Sequence, residues 1–341
     1  MAVHVNNPKI SYRTADGWLD ALTGELSVIR FPTVDTVGIN AIPGWTPTTT
    51  ITDENLRITG AGTVIEDVLV TNGSILAFAP NVTIRRCKVI NGGIYNYDAP
   101  AINNGMLVED CTIQMIPPAN VIPLNVCVSM AGFTLRRVAI IDVMEGIQIG
   151  GTAGPLTDPT HPDGYAVRLY DCFFRGQVPF PESGDPTEPC YGYHGDLMQP
   201  LDFGGTGGTE FIVRNCTVWS NERNPYCGFS SLFDAYYGHC RPVDIDGLMM
   251  SGGAGCYRGG AGGSVKNMFL HQDSWNFYPV AITDEAWERY TYWDCVTFDE
   301  LDEDGQPLNI LARVPYTWPY GPLAPVEPWE PPGLDTFGWE G

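Results

Sequence analysis

The sequence predicts an all-β solenoid of the parallel β-helix type, and three observations support this prediction. First, one short pattern recurs along the chain: apolar, variable, apolar, two polar residues, Cys or aliphatic, variable, apolar. Second, the copies are spaced irregularly, from 19 residues between Val68 and Cys87 to 44 between Cys172 and Cys216, as expected where turns accept insertions. Third, no credible amphipathic helix lies within the repeats, and glycine occurs at the turns.

The pattern occurs nine times, twice in degenerate form. The copies are Thr63–Val70, Val82–Val89, Met106–Ile113, Phe133–Ile140, Val167–Phe174, Phe211–Val218, Val243–Met250, Ser264–Leu270 and Tyr290–Phe298. Alternating apolar residues predict a short strand in each copy, and the central polar pair predicts a bend toward solvent. A second apolar segment lies between successive copies, so each coil holds at least two strands. At about 4.8 Å between strands, about nine coils would form a shaft on the order of 40 Å long.

The sixth position of the pattern is a cysteine in five copies: Cys87, Cys111, Cys172, Cys216 and Cys295. A thiol that recurs at one strand position behaves as a small apolar side chain. We therefore expect these five cysteines to be reduced and to face the interior of the coils.

Composition divides the chain into three segments. Residues 1–55 are expected to form an N-terminal cap or attachment segment, because open strand edges need cover, and they include the helix-compatible stretch Asp16–Leu22. Residues 56–314 form the predicted β-helix. Residues 315–341 carry seven prolines and three tryptophans, so we expect an extended C-terminal tail that docks on a neighbour.

The charge balance excludes two classes of partner. The chain has 18 basic and 40 acidic residues and a net charge of −22, a field that repels nucleic acid and anionic membrane surfaces.

No apolar run approaches the roughly 18 residues of a membrane-spanning helix. The first nine residues lack a basic start and an apolar stretch, so we expect no secretory signal peptide and synthesis in a cytosol.

Three repeats carry a family resemblance. Residues 85–87 read Arg-Arg-Cys, residues 109–111 Glu-Asp-Cys and residues 214–216 Arg-Asn-Cys. These rungs resemble the right-handed parallel β-helix superfamily of pectate lyases, polygalacturonases and phage tailspikes, over roughly residues 55–300. Within it, the acidic, glycine-rich composition and the Pro/Trp tail are most similar to minor tail proteins of tailed bacteriophages.

This resemblance implies a place and a set of partners. The protein would be a structural and adhesive component of the virion tail, made in the host cytoplasm. Its partners would be other phage tail proteins and host surface polysaccharide, and the resemblance admits a homotrimer.

One segment combines a histidine, a carboxylate and an amide. It reads Tyr193-His194-Gly195-Asp196-Leu197-Met198-Gln199 and resembles the His-x-Asp-x-x-Gln rung of carbohydrate-active β-helix proteins. In such a rung, His194 is a candidate proton carrier or sugar-binding donor.

Alignment of the second strands places further polar residues on the same face. Glu145 falls level with Asp196, Gln148 falls level with Gln199, and Asp234 takes the Gln199 position of the next coil. Carboxylates on adjacent coils would lie about 5 Å apart, the separation in retaining glycosidases, and their repulsion would raise one pKa. The candidate catalytic residues are Glu145, His194, Asp196, Gln199 and Asp234. The candidate glycan-binding residues are Gln148, Tyr193, Tyr226, Tyr236 and Tyr237.

These residues equally fit a hydrogen-bonded ladder that stiffens the shaft, and we favour that structural interpretation. The polygalacturonase pattern is not met, because the sequence has no Asn-Thr-Asp motif and no Arg-x-Lys after the His-Gly dipeptide. The expected function is therefore a structural and adhesive one. A glycoside hydrolase or polysaccharide lyase acting on host surface glycan is the alternative.

Two further groups of residues, potential metal ligands and aromatic side chains, each have a structural and a functional interpretation. Cys227, His239, Cys240 and Cys256 fall within thirty residues, yet the sequence lacks the Cys-x-x-Cys pair typical of zinc sites. We expect no metal or other cofactor, with calcium held by acidic turn residues as the alternative. An aromatic cluster around coils six and seven is expected to cover a loop or form a subunit interface, with sugar stacking as the alternative. It comprises Tyr226, Phe229, Phe233, Tyr236, Tyr237 and Tyr257.

Overall fold

A computed structural model describes residues 11–14, 17–20, 26–27, 30–96, 105–116, 126–129, 132–143, 145–149, 167–176, 195–200, 211–220, 229–235, 242–253, 255–259, 262–272, 274–275, 278–282 and 284–314. The strands are β1 Ser11–Thr14, β2 Gly17–Asp20, β3 Leu26–Ser27, β4 Thr49–Thr52, β5 Leu56–Ile58, β6 Val64–Glu66, β7 Val68–Thr71, β8 Ile75–Ala77, β9 Thr83–Arg85, β10 Lys88–Ile90, β11 Ile94–Asn96, β12 Met106–Glu109, β13 Thr112–Gln114, β14 Val126–Ser129, β15 Phe133–Arg136, β16 Ala139–Val143, β17 Glu145–Ile149, β18 Val167–Tyr170, β19 Phe173–Gly176, β20 Gly195–Pro200, β21 Phe211–Ser220, β22 Phe229–Ala235, β23 Val243–Ser251, β24 Gly255–Gly259, β25 Gly263–His271, β26 Tyr278–Ile282, β27 Tyr290–Leu301 and β28 Pro307–Arg313. Helical structure in these ranges is confined to a 3-10 turn, Gly38–Ala41, and helix α1, Asp284–Trp287. The all-β fold class is confirmed.

The chain visits three faces in turn. After β4, β5 and β6, strand β7 pairs with β4, β8 with β5 and β9 with β6, all in parallel. We call each such passage a coil and name faces A, B and C after β4, β5 and β6. Face B contains nine strands, from β5 to β26, whereas from β21 onward one long strand spans faces C and A. Parallel strands stacked coil upon coil are compatible with a parallel β-helix.

A left-handed backbone residue forms the bend between faces C and A. It occupies the fifth position of the repeat, as Asp67, Arg86, Asp110, Arg137, Asp171, Asn215, Gly247 and Asn267, with φ between 49° and 85°. Asp, Asn and Gly tolerate this conformation better than other residues, which explains most of the set. The bend predicted from the central polar pair is confirmed.

Charge alternates along these bends from coil to coil. The Arg86 guanidinium contacts Glu66 at 2.7 Å and Asp67 at 2.9 Å in the preceding coil, and Arg137 contacts Asp110 at 2.6 Å in the same way. Arg86 holds the pKa of the Asp67 carboxyl below its ordinary value, so this contact weakens once acid protonates that carboxyl. Pairing the wrong coils would bring like charges together, so the alternation favours one register.

The inward-facing side chains of the three faces form one continuous core. The sixth-position residues, Val68, Cys87, Cys111, Val138, Cys172, Cys216, Leu248, Met268 and Cys295, are all buried within it. The five cysteines are free thiols, so the prediction that they are reduced and face inward is confirmed. Burial raises the pKa of the Cys111 thiol, which makes it a poor nucleophile.

Residues 30–48, which we call the strap, run along the outside of face A against the order of the coils. At the far end of the stack, where the last coil lies, the Phe31 amide donates to Gln306 Oε1 at 2.6 Å. Gln306 Nε2 donates back to the Phe31 carbonyl at 2.9 Å. At the near end, Trp45 Nε1 donates to Asp67 Oδ1 at 3.2 Å. The strap therefore spans the stack from its last coils to its first.

The strap covers a row of apolar side chains that point outward from face A. Phe31 packs on Met249, Phe269 and Phe298, while Val37 packs on Ala139, Ile141 and Phe173. Midway, the Gly38 amide donates to the Arg137 carbonyl at 2.9 Å. These contacts bury one apolar surface outside the central core.

The N-terminal segment differs from its predicted arrangement. The helix-compatible stretch Asp16–Leu22 contains β2, which pairs with β1 and β3 in an antiparallel sheet, so a helix there is wrong. A helix of seven residues is marginal in water, whereas adjacent strands share backbone hydrogen bonds. Of the predicted cap, residues 30–48 form the strap, and Thr49–Thr52 already belongs to the first coil.

The far end of the stack is closed by a hairpin. Strand β28 runs antiparallel to β27, and Trp293 Nε1 donates to the Val314 carbonyl at 2.9 Å. The hydroxyls of Tyr257 and Tyr290 lie 2.9 Å apart at this end of the core.

The predicted tail, residues 315–341, lies outside the described residues. Within the described ranges, no helix has the length and hydropathy needed to cross a membrane.

Candidate functional site

The candidate residues lie on face B, where one register position is polar in consecutive coils. That position is occupied in order by Ser129, Gln148, Gln199, Asp234 and Arg258. Gln148 pairs directly with Gln199, and Asp234 follows Phe233, the partner of Met198. The alignment of these second strands made from the sequence is therefore confirmed by the backbone register.

A chain of hydrogen bonds links three of the side chains. Gln148 Nε2 donates to Gln199 Oε1 at 3.2 Å, and Gln199 Nε2 donates to Asp196 Oδ2 at 2.9 Å. The Asp196 side chain is only 3 % exposed. Each glutamine amide thus engages a neighbour on the protein, and Asp196 accepts a donor from its own strand.

Glu145 occupies the position level with Asp196, two residues before the register pair Ile147 and Met198. Its side chain is half-buried, and burial raises the pKa of the Glu145 carboxyl. Gly146 follows it, where a Cβ atom would collide with the Leu197 carbonyl oxygen. The glycine lets β17 and β20, the paired strands that carry Glu145 and Asp196, approach closely.

Such an arrangement has two chemical uses. A carboxyl with a raised pKa beside a second carboxyl is the combination that general acid-base catalysis requires. Amides that already bond each other and a buried carboxylate instead stabilise adjacent strands, because each buried polar group has its partner. The observed hydrogen bonds at Gln148, Gln199 and Asp196 correspond to the second use.

Several predicted site residues cannot be placed in this arrangement. Tyr193, His194, Tyr226, Tyr236 and Tyr237 lie outside the described residues, as do Cys227, His239 and Cys240. Asp234 is positioned by its backbone in β22. Cys256 belongs to the core, where burial raises its pKa to about 12. In the described part of the chain, no three His, Cys, Asp or Glu side chains are grouped to hold a metal.

Two members of the predicted aromatic cluster face the interior. Phe233 and Tyr257 stack with ring centroids 4.9 Å apart and are fully buried. Their rings are therefore core residues in adjacent coils and do not offer a surface for sugar stacking.

Sequence reasoning missed three residues at the same register position on face B, namely Tyr95, Ser129 and Arg258. Arg258 follows Asp234 in the next coil and is 8 % exposed. Tyr95 precedes Ser129, and burial raises the pKa of its hydroxyl to about 12. Extending the second-strand alignment by two coils toward the N-terminus and by one coil toward the C-terminus would have found all three.

The raised pKa of Glu145 leads to a testable prediction. A carboxyl whose pKa is raised by folding contributes stability at acidic pH and loses it as the pH rises above the ordinary value. Glu145→Gln should therefore raise the melting temperature at pH 7, with the gain disappearing toward pH 4. Thermal denaturation across that range measures the effect, and exposed Glu303→Gln is the matched control. A variant less stable than wild type at pH 7 would show that the ionised carboxylate is needed for folding.

Compared with known protein families, curated proteins and solved structures, the chain matches none of them. A functional proposal therefore depends on the fold and on the geometry of face B.

Proposed function

We propose that this chain is a right-handed β-helix of the pectate-lyase-like type, with about nine coils, that works as a structural and adhesive shaft. The observation that carries the proposal is the hydrogen-bonded chain from Gln148 through Gln199 to the buried Asp196. A catalytic carboxylate must reach the bond it cleaves, whereas Asp196 is enclosed and bonded within its own strand.

The other features of the molecule support a rigid shaft. The core is continuous from coil to coil, the bends are linked by alternating charges, and the strap joins the first coils to the last. The stacked strands leave an elongated outer surface for contact with a glycan or a neighbouring protein.

The proposed setting is the tail of a tailed bacteriophage. Other tail proteins and host surface polysaccharide are the proposed partners. The rung sequences and the acidic, glycine-rich composition support this setting, as does a stacked parallel fold like that of tailspikes. No cofactor is part of the proposal.

A polysaccharide-degrading enzyme is the second candidate, favoured by one observation. Glu145 has a raised pKa and stands level with Asp196 on the neighbouring strand. A hydrolase or lyase would use this pair as acid and base.

The substitution Asp196→Asn separates the two candidates. Asparagine keeps the size and an oxygen acceptor for Gln199, so a structural ladder should lose no more than about 1 kcal/mol of stability. We expect wild type and variant to bind host cell-wall polysaccharide equally in cosedimentation. We also expect neither to release reducing ends or unsaturated uronates.

Cleavage by the wild-type protein would contradict this expectation. If Asp196→Asn then lost several orders of magnitude in rate while retaining binding, the enzyme would replace the shaft as the proposed function. Gln148→Glu is a useful companion, because it alters the ladder without removing either carboxylate of the pair.

A further inference from the structure

The two ends of the coil stack are finished differently. At the far end, β28 runs antiparallel to β27 and closes the last coil. At the near end, β4, β5 and β6 are each the last strand of their face in the described part of the chain. Their outer backbone edges therefore have no strand beside them within the described residues.

The core reaches the surface at this near end. On each of the three faces, one side chain of the first coil points inward, and its register partner in the second coil is fully buried. The outer residues Ile51, Leu56 and Ile65 are partly exposed, opposite Val70, Ile75 and Ile84. Val64 on β6 is 49 % exposed, a large apolar side chain beside the same opening. Water would contact the end of an otherwise dry core.

The edge strand β4 carries none of the features that normally prevent strand addition. Its sequence is Thr-Thr-Ile-Thr, without charge, proline or glycine, and three of its four residues are exposed. Natural edge strands are protected by lysine, proline or a bulge, because an open edge pairs with other strands. The β-branched side chains of β4 also favour the extended conformation.

Electrostatic repulsion between two copies would be weak at the near end. The first two coils, residues 49–86, carry four acidic and three basic side chains, against a net charge of −22 for the chain. A two-fold contact places each residue near its own symmetry mate, so an uncharged strand is compatible with itself.

The N-terminal sheet of the same chain is held at the opposite end. Strand β3 ends at Ser27, three residues before Arg30, and three residues span at most about 10 Å. The Arg30 guanidinium lies 2.8 Å from Asp304 in the hairpin that closes the far end. The sheet of β1, β2 and β3 is therefore tied to the far end of the shaft.

We propose that a second copy of this chain covers the near end, so that two shafts join first coil to first coil. Strand β4 of one copy pairs antiparallel with β4 of the other about a two-fold axis. The contact continues the strand faces across the junction and buries the apolar side chains that head the core. The result is a rod of twice the length, and this inference does not depend on the proposed function.

The test uses the full-length chain and a double variant at the near end, Thr50→Lys with Val64→Lys. Both side chains are exposed, so the variant should fold. The lysine at position 50 would lie near its own symmetry mate across the two-fold axis, and the lysine at position 64 would add a charge to the junction on face C. The matched control is Ile310→Lys with Leu311→Lys on β28, at 38 % and 45 % exposure. Sedimentation equilibrium gives the mass, and small-angle scattering gives the longest dimension.

Wild type and control are expected at twice 37.3 kDa with a nearly doubled length, and the near-end variant should dimerise on the order of tenfold or more weakly. Circular dichroism should match for all three proteins. A wild-type protein that stays monomeric, a compact trimer of unchanged length, or a dimer insensitive to the near-end variant would each overturn the proposal.

Discussion

Replacing Cys111 with aspartate is expected to unfold the shaft, whereas replacing it with valine should leave it folded. The thiol is fully buried between adjacent coils, and its sulfur accepts the Cys87 amide at 3.3 Å. A carboxylate there would be an unpaired charge in an apolar core, at a cost of several kcal/mol. That cost approaches the entire stability of a typical domain.

Valine is the appropriate control because it is the native residue at this repeat position in two other coils. Valine occupies the same repeat position at Val68 and Val138, both buried in the same core cluster. Thermal denaturation followed by circular dichroism, together with soluble yield, measures the difference. Equal melting temperatures for the Asp and Val variants would mean that the sixth position faces solvent, contrary to the structure.

Phe31→Ala is expected to detach the far end of the strap and to destabilise the protein by about 3–5 kcal/mol, the usual cost of removing a buried phenylalanine. The Phe31 ring is 2 % exposed and meets the Phe269 ring edge-on at a centroid distance of 5.3 Å. Its loss leaves a cavity over Met249 and Phe298. Urea denaturation gives the free energy of unfolding, and limited proteolysis reports release of the strap.

The matched control for Phe31 is Asp35→Ala, an exposed position on the same segment. It should change stability by less than about 0.5 kcal/mol and leave proteolysis unaffected. If Phe31→Ala behaved like Asp35→Ala, the strap would contribute little to the folded state.

The repeat made much of the fold predictable, because its determinants are local. Alternating apolar residues define each strand, and the polar pair before the sixth position marks the bend that Asp67 and Arg86 form. The charge alternation at that bend was visible too, as Glu-Asp at residues 66–67 and Arg-Arg at residues 85–86. It was missed because the two charges meet only once the coils are stacked.

The strap could not be predicted from local pattern, because its partners lie far away in the sequence. Phe31 and Gln306 are separated by 275 residues. A signal was nonetheless present at the seventh repeat position, which points outward yet is apolar in several copies, as at Phe173, Met249 and Phe269. Outward apolar residues in a row indicate that something covers them.

The candidate site was also predictable only in part: its strand register could be predicted from the sequence, and its side-chain contacts could not. Strand alignment correctly paired Gln148 with Gln199, because register follows from the repeat. The burial of Asp196 and its bond from Gln199 could not be read from spacing, because they depend on side-chain orientation around one strand. Spacing identified which residues are neighbours but did not show which groups remain accessible.

The path of the strap has a consequence for synthesis on the ribosome. Coils can stack in the order in which they are translated, because each contacts mainly the one before it. Phe31 must wait for Gln306, which at about 5–20 residues per second leaves its side chain unburied for roughly 15–55 s. During that interval both the strap and the apolar row on face A are open to chaperones and to other nascent chains. The strap thus leaves the ribosome before the coils that it covers and is buried only after they have formed.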